Sequence, residues 1–258
     1  MVTPTNIIRA IQIGFIVLAI EAFTGCQQEI VNIPVQQYPL KLSFVNMAGT
    51  NPLSLNTAYT NPHGEPVTFT SFKYYISNIS LIDPAGHEIK LPDTYFLVDQ
   101  HTPSSTSFQV TTTGSEYKTL RFYIGVDSAR NVSGVQTGAL DPANGMFWTW
   151  NSGYIMAKME ATSPVSPAPL SAVTYHIGGF KTGENVLKQI TLNLPENVVL
   201  KTNAASEIVI DANAMAWFKG VHDIKIATDA FCMNSGPLAM DIADNYAKMF
   251  SIAEVKNQ

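Results

Sequence analysis

Pro66-Val-Thr-Phe-Thr-Ser-Phe-Lys-Tyr-Tyr-Ile-Ser-Asn-Ile-Ser-Leu-Ile-Asp83 is the stretch that decides the fold class. It is rich in Thr, Phe, Tyr and Ile, the side chains that fit a pleated, half-buried surface. Asp83-Pro-Ala-Gly86 supplies a turn and His87 to Asp99 returns, so residues 72–99 read as a hairpin. Further period-two runs lie on either side: Leu40 to Val45, Phe108 to Thr112, Lys118 to Val126, Met146 to Glu160, Val173 to Phe180, Val186 to Leu194, Glu207 to Ile210 and Asp223 to Ala227. Helix is expected only near Ala212–Lys219 and over Ala239–Phe250, where Met240, Ile242 or Ala243, Tyr246 and Phe250 share a face. Regular strands separated by turns predict an all-β fold, an antiparallel β-sandwich with a few short helices. With no internal repeat and no linker after residue 39, residues 40–258 read as one domain.

Charged residues make up 14% of the chain against about 25% in an average soluble protein. Ser, Thr, Asn and Tyr fill the polar positions, as suits strands and extracytoplasmic surfaces. A formal charge of −5 with scattered lysines argues against a nucleic-acid partner, which needs a clustered basic face.

The N-terminus speaks to compartment. Arg9 provides a modest positive region, Ile11 to Ile20 a short apolar run, and Phe23-Thr-Gly-Cys26 a lipobox-like end, with Glu21 interrupting the apolar stretch. An apolar run of about ten residues is too short to cross a ~30 Å hydrocarbon core. The pattern resembles a bacterial lipoprotein signal peptide over 1–25, with lipidation at Cys26 and residues 26–39 as a tether. An ordinary secretory signal cleaved nearby is the alternative. Acyl chains contribute about 0.8 kcal/mol per buried methylene, enough for stable membrane anchoring at the cell envelope, on the periplasmic side or the cell surface. Beyond Cys26 the chain has one cysteine, Cys232, set among Ala230, Phe231 and Met233. The expectation for it is a buried small hydrophobe rather than a disulfide partner.

Two loop segments, Gly125 to Gly134 and Thr137 to Gly145, stand between predicted strands. Loops this long are functional or tied down by side chains. Asp127, Asn131, Asp141 and Asn144 are suited to cap backbone amides; an oxygen-ligand cation such as calcium is the rival reading, without the dense carboxylate spacing of a calcium loop.

Leu140-Asp-Pro-Ala-Asn-Gly-Met-Phe-Trp-Thr-Trp-Asn-Ser-Gly-Tyr-Ile-Met-Ala-Lys-Met-Glu160 is more specific. Together with Tyr175-His-Ile-Gly-Gly-Phe180, Phe122-Tyr-Ile-Gly-Val-Asp-Ser-Ala-Arg-Asn131, Phe72 to Ile79 and Ala243 to Phe250, it resembles the MbnP-like family over about residues 40–255. That family is named for a periplasmic copper-binding protein associated with methanobactin; the fragments fit its Bacteroidetes-type lipoprotein branch. The resemblance implies a secreted β-rich domain and a di-haem cytochrome c peroxidase-like partner. It also implies copper(I) bound by histidine beside a tryptophan oxidised to kynurenine. By motif, His176 is the His-x-Gly histidine, and Trp148 and Trp150 are the tryptophan pair. The chain departs from the pattern in having no histidine between His101 and His176.

Copper(I) accepts two or three soft or borderline ligands, imidazole and thioether among them. Read as one strand, 146–160 places Trp148, Trp150, Tyr154 and Met156 on one face and Phe147, Ile155 and Met159 on the other. His176 shares its face with Thr174 and Gly178. The expected metal site is therefore His176, Trp148, Trp150 and Met156, with His222 or His63 as sources of a second imidazole. The alternative is a core filled by tryptophan and methionine, in a binding or structural surface lipoprotein that has lost the metal. Catalysis is not expected: no Gly-x-Ser-x-Gly, His-Glu-x-x-His, glycine-rich phosphate loop or Cys-x-x-Cys occurs.

Overall fold

The computed structural model describes residues 35–148 and 153–258. The expected signal peptide, Cys26, most of the expected tether and Trp150 lie outside the described residues. Val35 to Gln258 form one compact unit.

The strands are, in order, β1 (Tyr38–Ala48), β2 (Asn51–Pro52), β3 (Ala58–Thr60), β4 (Pro66–Ile82), β5 (Glu88–Lys90), β6 (Tyr95–Asp99), β7 (Ser107–Thr112) and β8 (Glu116–Ile124). After them come β9 (Phe147–Trp148), β10 (Gly153–Thr162), β11 (Ala172–Gly178), β12 (Lys188–Val199), β13 (Ser206–Asn213), β14 (Phe231–Cys232) and β15 (Phe250–Lys256). Three short helices, α1 (Ser128–Asn131), α2 (Ile226–Asp229) and α3 (Pro237–Tyr246), join them. One sheet holds β15, β13, β1, β2 and β7; the other is built on the 17-residue β4. The fold is a β-sandwich, as expected, with most pairings antiparallel. Two are parallel, β1 with β13 and β11 with β14.

The sheets meet in an aromatic core. Phe44 of β1 packs edge-on against Tyr74 of β4, Phe122 of β8 and Phe250 of β15. The Tyr74 hydroxyl donates to Asn46 Oδ1 at 2.8 Å, a buried polar link between the sheets. Cys232 is buried, as expected, and burial pushes its thiol up to about 11.

The register along β4 positions everything that follows. On one side β6 lies opposite Lys73 to Ser77. On the other, β10 pairs with residues 68–74 and β8 with residues 76–82. Strands β8 and β10 therefore run end to end beside β4, and residues 125–152 are an excursion between them. On the outer flank β11 continues beside β10 and β12 beside β8.

Three local expectations fail for identifiable reasons. Residues 146–160 are not one strand: Phe147–Trp148 pairs antiparallel with Gly153–Tyr154. The backbone amide of Tyr154 is taken by Asn131 Oδ1 at 2.9 Å. Residues 223–227 enter a helical turn because Glu65, far away in sequence, accepts from the amides of Ile226 and Ala227. The expected helix ends at Tyr246, and Phe250 begins a strand paired with β13.

Candidate functional site

Tyr175 and Ile177 of β11 point into the core and are fully buried, so His176 and Gly178 face outward, as strand alternation requires. Four strands contribute one transverse row on this outer face: Asp99, Lys73, Lys158 and His176 lie directly opposite one another in sequence of pairing. Lys73 pairs with Asp99 at 2.9 Å. Glu160, two residues beyond Lys158 on β10, accepts from Lys158 at 3.0 Å and meets His176 Nε2 at 2.8 Å. The His176 hydrogen bond, with Lys158 behind it, holds the Glu160 carboxyl at about 2 against the pull of burial. An ionised carboxylate only accepts, so Nε2 carries the proton. In the neutral ring the lone pair then sits on Nδ1, which is buried and has no hydrogen-bond partner among the described residues.

The excursion covers the sheet beside this row. Its side chains do what the sequence suggested: Asp127 accepts from the Arg130 amide, Asp141 from that of Ala143, and Asn144 donates to the carbonyls of Gly138 and Ala139. Asn131 donates to the carbonyls of Val126 and Asp127 besides accepting from Tyr154. The Tyr154 hydroxyl donates to the Leu140 carbonyl at 2.6 Å, and its ring meets Tyr75 edge-on. Trp148, buried within the excursion, lies against Gly178. A Cβ on that glycine would sit 2.7 Å from Trp148 Cζ3 and 2.8 Å from Cη2. The glycine of His-x-Gly is thus the seat of the tryptophan ring, two residues along the same strand face from His176.

Other expected members of the site do not join it. Ile155 to Ala157 is bulged in its pairing with β11, which breaks simple alternation at Met156. The Met156 sulfur turns to Gly125 and accepts the Val126 amide at 3.0 Å. His63 Nε2 is 2.8 Å from the Phe218 carbonyl, and His222 stands beside Asp241 and Asp244. Trp150 is among the undescribed residues. Among the described residues no three His, Cys, Asp or Glu side chains are grouped to hold a metal ion. The donor set in hand is one imidazole nitrogen beside one indole ring. Sequence reading missed Glu160 and Lys158, whose roles depend on the β10–β11 register rather than on any motif.

The MbnP family model matches residues 37–234. Among solved structures the chain is similar to MbnP from Methylosinus trichosporium, at 14% identity and a TM-score of 0.50, covering 79% of this chain and 84% of that one. No curated protein gave a match.

Proposed function

Since the chain belongs to the MbnP family, we propose that it is a lipid-anchored envelope protein that binds copper(I) weakly through His176 Nδ1 beside Trp148. The observation that carries this reading is the buried Nδ1, without a hydrogen-bond partner among the described residues, of a histidine whose other nitrogen is held by Glu160. A carboxylate on the second ring nitrogen is the arrangement that orients metal-ligating histidines and raises their basicity. Copper would supply redox chemistry and affinity for soft ligands. The chain's own residues would do the positioning, Glu160 fixing the tautomer and Lys158 keeping Glu160 ionised. One imidazole falls short of the two or three ligands copper(I) takes, so the expected affinity is low.

The test is a copper(I) titration against a competing chelator, for wild type, His176→Ala and Glu160→Gln. Binding should vanish in His176→Ala and weaken in Glu160→Gln; equal affinity in all three ends the reading. Lipidation at Cys26 is tested in the same host by intact mass and detergent partition of wild type against Cys26→Ser. The mass also reads any oxidation of Trp148 or Trp150. Co-purification with a di-haem cytochrome c peroxidase-like protein tests the expected partner.

A specific observation favours a second reading, a binding or structural lipoprotein without metal: the sulfur expected to help, Met156 Sδ, is engaged by Val126. Absence of copper in protein purified from its native host would select it.

A further inference from the structure

On the other side of the excursion the same sheet face holds a concavity of about 470 Å³, walled chiefly by Asn78, Glu88, Lys90, Arg121, Tyr123 and Gln189. It shares no residue with the His176 row. Its walls stand on paired strands: Arg121 lies between Ser80 and Thr191, and Tyr123 between Ser77 and Gln189.

The cleft is made by a bulge. The register of β4 against β8 shifts between Ser77 and Ser80, and Asn78 takes the left-handed conformation at φ 48°. Bulges re-aim side chains and occur next to functional sites. This one is pinned: the amides of Asn78 and Ile79 go to the carbonyl and hydroxyl of Thr94, and the Asn78 amide group donates to Asp127 at 3.0 Å. The walls are equally fixed. Arg121 is held by Glu88 at 3.0 Å and by Thr191 at 3.3 Å, Ser80 donates to Glu88 at 2.6 Å, and Gln189 donates to the Tyr123 hydroxyl at 2.8 Å. A site whose side chains are already ordered loses little entropy when a ligand arrives.

The groups left over define the ligand. Among the described residues the Lys90 side chain makes no hydrogen bond or ion pair, and Arg121 Nη2 and the Tyr123 hydroxyl proton are also unspent donors. Glu88 Oε2 and Gln189 Oε1 are unspent acceptors among the same residues. The lining thus offers both donors and acceptors beside a tyrosine side chain. Formal charge cancels, with Lys90 and Arg121 against Glu88 and Asp127, so the cleft offers no surplus that would favour an anion. A hydroxyl group, which donates and accepts at once, suits such a lining, and a ring's C–H face suits Tyr123. The volume falls within the ~300–1,000 Å³ of small-ligand pockets. We propose that this cleft binds a neutral saccharide of one or two rings.

The test is an NMR titration of the isotope-labelled chain with maltose, cellobiose and N,N′-diacetylchitobiose, each to about 20 mM, some twentyfold above a Kd of about 1 mM. At least one should bind saturably, shift the Gln189 side-chain and Tyr123 backbone signals, and keep its Kd when salt is raised, because the ligand carries no charge to screen. Tyr123→Ala should weaken that binding about tenfold, and Lys90→Ala, an exposed side chain free of structural bonds, about threefold. The idea fails if none of the three sugars shifts those signals or if binding is the same in both variants. It also fails if sodium citrate binds there instead with an affinity that falls with salt.

Discussion

The seat of Trp148 on Gly178 makes the sharpest stability prediction, for Gly178→Ala. The added methyl would meet Trp148 Cζ3 at 2.7 Å, Cη2 at 2.8 Å and the backbone oxygen of Tyr154 at 2.8 Å. The backbone φ at Gly178 is not in the left-handed region, so the cost is steric, not conformational. Overpacking a filled core costs about 1–3 kcal/mol. One of the three atoms belongs to the backbone and cannot rotate away, which puts the expected value near the top, about 2–3 kcal/mol. For a domain of this size each kcal/mol moves Tm by about 2–4 °C, so a loss of about 5–10 °C is expected. Circular dichroism gives the melt, and tryptophan emission should shift to the red as the indole is displaced. A double-mutant cycle with Trp148→Leu isolates the contact: the smaller side chain should recover part of the loss, with a coupling above about 0.5 kcal/mol. A Gly178→Ala protein melting within about 1 °C of wild type, or strictly additive effects, would refute the packing account of His-x-Gly.

Other outcomes follow from the same reasoning. Tyr75→Phe should be neutral or raise Tm, because the Tyr75 hydroxyl is buried without a hydrogen-bond partner among the described residues and its removal relieves an uncompensated polar group. Tyr74→Phe should lower stability by about 1–3 kcal/mol by leaving Asn46 Oδ1 unsatisfied between the sheets; thermal melts of the two variants decide. Glu207 is held at about 2 by the Ser43 hydroxyl, Lys41 and Lys256, so its folded value lies below its unfolded one. Its stabilisation is therefore complete above about 4.5 and lost as pH falls toward 2. Urea melts across that window should fall less steeply with acid in Glu207→Gln. Asn131→Ala should open the excursion while sparing the sheets, since it orphans the Tyr154 amide and the Val126 carbonyl at a cost of about 1–3 kcal/mol. Hydrogen exchange should then rise at Tyr154 and within α1 but not in β1 or β13.

Strands were legible wherever period-two alternation met turn chemistry, as in 66–99 and 172–178, because one face of each strand meets the core. What stayed hidden depends on partners distant in sequence. The parallel pairing of Leu40 to Met47 with Ser206 to Asn213 leaves no local mark. Nor does the Glu65 carboxylate that turns residues 226–229 into helix. β15 contains Ala, Glu and Lys, which favour helix in isolation, and becomes a strand because β13 offers an edge. At the site, the alternation that sets His176 and Gly178 on one face was legible and the contact of His176 with Glu160 was not, since a one-residue change of register would have moved Glu160 to another neighbour. Met156 was misplaced for the same kind of reason: alternation was carried through a bulge that the sequence does not announce.

The end-to-end placement of β8 and β10 explains how one sheet can hold two unlike sites. Because both strands pair with the same edge of β4, the described residues of the chain between them add no strand to β4, and Phe147–Trp148 pairs only with Gly153–Tyr154. That excursion is held by its own side chains, Asp127, Asn131, Asp141 and Asn144, two of which also bond to the sheet at Asn78 and Tyr154. One flank brings Trp148 over Gly178 beside His176; the other brings Asp127 to the bulge at Asn78. His176, Glu160 and Lys158 are fixed by strand register and endure whatever the excursion does. A second donor for a metal at His176 would have to come from outside this row. Loss or gain of one ligand there changes affinity without disturbing the fold, so family membership establishes the scaffold more firmly than the copper.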